Sequence, residues 1–143
     1  MPETKKIMVV DDEAGIRNLL YDVLSEKGFL VTLAKDGEDS LKHMRNKKYD
    51  LVITDINMPR LGGLELIRRM KREGREEKII VMSGNTSDLS KNEKEISKVV
   101  ALLNKPFQMN SFLEVVSSAL TSKDIKKCNR RNIPKREKLA NAV

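Results

Sequence analysis

Five short apolar runs, each followed by a longer amphipathic or polar stretch, occupy residues 7–10, 29–33, 51–53, 79–82 and 99–103. They are too short for helices, rich in β-branched residues and bounded by polar residues, which predicts buried strands. Between the first two runs, Ile16, Leu19, Leu20, Val23 and Leu24 recur at i, i+3, i+4, i+7 and i+8. That spacing draws one apolar stripe along a helix over Ala14–Lys27, closed by Gly28 as a C-terminal cap. Phe112, Val115, Val116, Ala119 and Leu120 repeat the stripe after the fifth run. Weaker helices are predicted over Gly37–Lys47 and over Leu64–Lys71, where Leu64, Ile67 and Met70 share a side. The stretch Thr86–Ser97 offers only Leu89 and Ile96 as large apolar residues, so a helix there buries a narrow seam. Five alternations of strand and helix predict an α/β fold, a doubly wound five-stranded parallel sheet with helices on both faces.

A length of 143 residues suits one such domain. Trp is absent and aromatics make up 3%, so the core must be built from Ile, Leu, Val and Met. The apolar run at 7–10 is too short for a signal peptide or a membrane span, and a single cysteine, Cys128, cannot form an internal disulfide. Both point to a soluble, cytoplasmic protein. The formal charge of +7 is localised: residues 123–143 carry eight Lys or Arg against Asp124 and Glu137, a net +6, which leaves +1 for residues 1–122. Residues 1–122 are therefore read as the folded domain. Residues 123–143 form a basic tail whose low hydrophobicity predicts disorder.

In open parallel sheets, ligands bind beyond the carboxyl ends of the strands. Here those ends carry Asp11 and Asp12, Asp55, Ser83 and Lys105. Three carboxylates converging at one edge repel one another unless a cation joins them. A hard divalent ion, Mg²⁺, suits carboxylate, carbonyl and water oxygens. Carboxylates are also nucleophiles toward phosphoryl groups, and Asp55 is the strongest candidate. It follows the run Leu51-Val52-Ile53-Thr54 and precedes a loop that offers the Asn57 carbonyl. Ser83, followed by the small Gly84, can donate a hydroxyl hydrogen bond without blocking access.

In order along the chain stand Asp11-Asp12, Asp55-Ile56-Asn57-Met58-Pro59 with Gly63, Ser83-Gly84 and Lys105-Pro106-Phe107. Over residues 5–121 this set resembles a response-regulator receiver domain, the CheY-like (βα)5 type within the flavodoxin-like folds. The resemblance implies a single-domain two-component response regulator that receives a phosphoryl group on Asp55 from a sensor histidine kinase or a histidine phosphotransfer protein. It implies direct Mg²⁺ ligation by Asp12, Asp55 and the Asn57 carbonyl, with Asp11 acting through water and Lys105 pairing with the phosphoryl group. Ser83 would carry the signal to a surface read by a downstream protein. Gly84, Asn57 and Asn85 fall at positions that govern phosphoryl access and lifetime. Such a protein is a switch that assists its own phosphorylation and dephosphorylation, not a turnover enzyme. One departure concerns the position three residues before the lysine, often Tyr or Phe in such domains. Leu102 stands there, so rotation of an aromatic ring is not available as the readout.

Blander readings exist for several of these residues. Asp11 and Asp12 can be helix-capping acids. Gly62 and Gly63 most simply serve a turn. His43 is alone on a surface helix. A phosphatase with an aspartate nucleophile usually carries a second Asp two residues on, where this chain has Asn57. The tail can meet nucleic acid, a membrane surface or an acidic partner by charge alone, without sequence preference.

Overall fold

The structure, a computed structural model, describes residues 4–84 and 99–121. In chain order they form β1 (Lys6–Val10), α1 (Ala14–Glu26), β2 (Leu30–Ala34), α2 (Gly37–Met44), β3 (Leu51–Asp55), α3 (Gly63–Arg72), β4 (Lys78–Ser83), β5 (Ala101–Asn104) and α4 (Met109–Thr121). The helix expected over 86–97, Asn85, Cys128 and the basic tail lie outside the described residues.

All four strand pairings are parallel, in the order β2-β1-β3-β4-β5. Because strand side chains alternate, each strand feeds two cores. Ile7, Val9, Leu51, Ile53, Ile80 and Met82 point to one face, where α1 contributes Leu20 and Leu24 and α4 contributes Phe112 and Val116. Met8, Val10, Val52, Val81 and Leu102 point to the other, beneath Leu66, Ile67 and Met70 of α3 and Met44 of α2. Burial on both faces explains why β1 and β3 read as unbroken apolar runs. Of the two edge strands, β5 is largely buried, whereas β2 escapes this pattern: its first residue, Leu30, is 56% exposed.

Helix α1 and helix α3 end alike. Gly28 and Gly74 adopt positive φ (93° and 73°), and the next residue's N–H turns back to a carbonyl five residues earlier, Phe29 to Leu24 and Arg75 to Met70. That left-handed step suits glycine and satisfies carbonyls at the helix end.

Two expectations shift. Leu19 was expected in the buried stripe of α1 but is 48% exposed. At about 100° per residue it lies about 100° round the helix from Leu20 and about 140° from Leu24, the two residues that are fully buried. Helix α2 stops at Met44 instead of continuing to Lys47. Its end is fixed from outside, because the Arg75 guanidinium donates to the carbonyls of Met44 (2.9 Å) and Lys47 (2.7 Å).

Candidate functional site

Strand order places a crevice where the chain reverses direction across the sheet. From β1 the chain runs outward to β2, then returns past β1 to β3. The carboxyl ends of the neighbours β1 and β3 therefore flank the switch point, and they deliver Asp11 and Asp55. Lys105 comes from the end of β5. Its backbone N–H donates to the Ser83 carbonyl (2.8 Å), which seats it beside β4. Beyond the cis Lys105–Pro106 bond, Phe107 stacks on Phe112 with centroids 5.4 Å apart, packing the turn against α4.

The Lys105 ammonium sits among three carboxylates. Nζ donates to Asp11 Oδ2 at 2.8 Å and to Asp55 Oδ2 at 2.9 Å, with Glu13 Oε1 at 3.5 Å. Asp11 is fully buried and heavily engaged. Its Oδ1 accepts from the Glu13 N–H (2.9 Å), its carbonyl accepts from Arg17 Nη1 (2.7 Å), and its N–H donates to Ala34 (3.1 Å). Asp55 is nearly buried, and its Oδ1 accepts from the Asn57 N–H at 3.3 Å. Carboxylate oxygens of Asp11, Asp12, Glu13 and Asp55 all lie within 4.8 Å of one another.

Among the described residues, four carboxylates thus gather at a partly buried crevice that holds one ammonium. Burial pushes the Asp55 carboxyl above its ordinary value; the hydrogen bond from Lys105 and its charge only partly offset this, and the charge of Asp11 adds to the rise. Burial works to lower Lys105, yet its hydrogen bonds to Asp11 and Asp55 outweigh that and leave it raised, firmly a cation. Net negative charge held on oxygen donors alone fits a hard divalent cation.

The other expected site residues fall around this centre. Asp12 and Asn57 are exposed at its mouth. Ser83, fully buried, ends β4 one residue beyond Met82, the residue paired with Asp55. Gly84 is exposed, and a Cβ added there meets nothing within 4 Å among the described residues. His43, half-buried, faces Asp39 of its own helix at 3.7 Å.

Sequence reasoning passed over Glu13 and Arg17 and gave Gly63 only a turn. The acid at 13 was visible beside Asp11-Asp12, but nothing in one dimension shows which way it faces. Gly63 touches the site directly, since a Cβ there would collide with the Asp55 carbonyl, and its N–H donates to the Ile56 carbonyl at 3.0 Å. Gly63→Ala is therefore expected to destabilise the fold by about 1–3 kcal/mol, measurable by urea denaturation, because backbone must move to admit the methyl.

Comparison with known proteins agrees with this geometry. The model of the response regulator receiver domain matches residues 7–117. The two-component response regulator PhoP of Pseudomonas aeruginosa is 32% identical over 115 residues, 80% of this chain and 51% of that protein. The sporulation initiation phosphotransferase F of Bacillus subtilis is 30% identical over 120 residues, 83% of this chain and 96% of that one. Among solved structures, the response regulator TrrA of Thermotoga maritima in complex with Mg²⁺-BeF superposes with a TM-score of 0.74 at 34% identity, over 82% of this chain and all of that one. The chain spans about half the length of several relatives it matches. No helix among the described residues is long and apolar enough to cross a membrane. With the parallel order β2-β1-β3-β4-β5, the acid cluster at its switch point and a family match over most of its length, this chain belongs to the response regulator receiver domain family of two-component signalling.

Proposed function

We propose that this receiver is a phosphorylatable switch with Asp55 as acceptor. The observation that carries the reading is the placement of that carboxylate: at the switch point, nearly buried, with Oδ2 on Lys105 and Oδ1 toward the Asn57 N–H. An Asp55 oxygen attacks the phosphorus of a phosphohistidine or a small acyl phosphate, forming a P–O bond. The donor's P–N or P–O bond breaks, its electron pair leaves with the imidazole or carboxylate, and Asp55 becomes an acyl phosphate. Lys105 supplies fixed positive charge beside the entering group, and the Ser83 hydroxyl donates to one of its oxygens. Gly84, Asn57 and Asn85 bear on access and lifetime.

The donor set fits Mg²⁺, with Asp12, Asp55 and the Asn57 carbonyl as direct ligands and Asp11 acting through water. When bound, Mg²⁺ neutralises charge on the phosphoryl oxygens. Asp11, locked by Glu13, Lys105 and Arg17, keeps the turn after β1 in place.

The donor partner is a sensor histidine kinase or histidine phosphotransfer protein, and output passes by contact with a downstream protein. The switch assists its own phosphorylation and dephosphorylation and turns over no separate substrate. We place it in the cytoplasm, with residues 1–122 as receiver and 123–143 as a basic tail, the one segment through which nucleic acid is a candidate partner. Leu102 is buried against the α3 side of the sheet, so the readout runs through Ser83 and not through a rotating ring.

Intact mass measured before and after acetyl phosphate with Mg²⁺ tests the acceptor. Wild type is expected to gain one phosphoryl group and Asp55→Ala none. If wild type gains nothing from acetyl phosphate or from phosphohistidine donors, the reading fails.

A further inference from the structure

Glu13 is the residue immediately before α1, in extended conformation (φ −89°, ψ 113°), where a side chain ordinarily caps the helix. It makes no capping bond. Its carboxylate instead reaches across the crevice to Lys105, distant by 92 residues in sequence, with Oε1 3.5 Å from Nζ. The Glu13 side chain is 61% exposed, against 0% for Asp11 and 9% for Asp55.

That contrast separates the acids by what they can still do. Asp11 has one oxygen committed to the Glu13 N–H and the other to Lys105, and Asp55 is divided between Lys105 and Asn57. Asp12 and Glu13 are the two acids of the cluster that face solvent. We infer that Glu13 sets the affinity of the pocket for a divalent cation, acting through its charge as a fourth carboxylate. The inference rests on the reading of the pocket as a cation-dependent phosphoacceptor. Since Lys105 already balances one of the buried acids, the charge that Glu13 adds bears directly on an incoming cation. It acts through partly solvated space, so its influence is moderate and screened by salt.

The test is a calorimetric titration with Mg²⁺ alone on the full chain, at low and at high ionic strength. Glu13→Gln is expected to weaken Mg²⁺ binding about five- to tenfold at low salt, with the difference shrinking toward twofold near 1 M salt. Glu13→Asp, which keeps the charge, is expected to stay close to wild type. Asp22→Asn removes the same charge from an exposed position of α1 and is expected to change little. A Glu13→Gln affinity equal to wild type overturns the inference, as does an equal loss in Asp22→Asn. A loss independent of salt also overturns it, because that marks a conformational effect. If wild type itself binds no Mg²⁺, the failure belongs to the underlying reading of the pocket, which the mass measurement checks separately.

Discussion

Arg75→Met is expected to destabilise the domain by about 3–5 kcal/mol, a large share of the roughly 5–15 kcal/mol that holds a domain of this size together. One guanidinium ties three segments at the amino-terminal edge of the sheet. Arg75 Nε and Nη2 donate to Glu77 Oε1 and Oε2 at 3.0 and 2.6 Å, while Nη1 and Nη2 reach the carbonyls of Met44 and Lys47. Glu77 Oε2 also accepts from the Tyr49 N–H at 3.1 Å. The two side chains are 14% and 4% exposed, so removing the arginine strands a buried carboxylate and leaves the end of α2 without its donor.

A midpoint shift of roughly 10–20 °C in thermal unfolding is the expected reading. Glu77→Gln keeps acceptor and shape and is expected to cost less. The Arg75→Met/Glu77→Gln pair is expected to cost less than the sum of the singles, since the two losses share one contact. The clamp lies at the opposite end of the strands from Asp55, so Mg²⁺ affinity of the folded variant should match wild type. Exposed pairs give the contrast. Glu65 meets Arg68, Arg69 and Arg72 on the surface of α3, and its carboxyl is held below the ordinary value by Arg68 first among them. Glu65→Gln is nonetheless expected to leave stability within measurement error, because solvent screens such contacts.

The different fates of these residues show what one dimension encodes. The strand runs and the residues at their ends were legible because burial on both faces writes an unbroken apolar word and the polar residue that stops it falls at the crevice. Asp11, Asp55 and Lys105 came together as expected for that reason. Helix faces were less legible: five apolar positions in α1 span a wide arc, and the sheet covers only the side bearing Leu20 and Leu24, which leaves Leu19 outside. Least legible were contacts closed by tertiary folding. Arg75 ends α2 from 31 residues away, and Glu13 turns from helix cap to pocket acid only because Lys105 arrives from 92 residues downstream. Gly63 belongs to the same class, since its need for no side chain comes from the Asp55 carbonyl packed against it.

The pocket itself is expected to cost stability, with opposite signs at Asp55 and Lys105. Asp55 has its carboxyl raised above 3.8 by burial first, against the pull of Lys105. The folded state therefore holds that proton more tightly than the unfolded chain, and stability declines as pH rises from 3.8 through the folded value. Lys105 is raised above 10.5, so its contribution is complete below 10.5 and is lost only as pH climbs through its folded value. Below 10.5 the lysine contribution is constant, and a slope above pH 3.8 that disappears in Asp55→Asn reports the carboxylate. Asp55→Asn is expected to stabilise the metal-free protein by about 1 kcal/mol at pH 7, since it removes one buried acid and leaves Lys105 with Asp11. Lys105→Met leaves Asp11 and Asp55 buried together and is expected to cost about 3 kcal/mol at pH 7. The loss should shrink as pH falls toward the raised folded value of Asp55 and that carboxyl takes up its proton. Saturating Mg²⁺ should restore part of it, because an ion that binds only the folded state at 100 times its Kd adds about 2.7 kcal/mol. Urea unfolding of both variants at these pH values, with and without Mg²⁺, reads all of these effects. A Lys105→Met variant with a flat pH profile, or an Asp55→Asn variant less stable than wild type without metal, contradicts an acidic pocket held together by one lysine until a cation arrives.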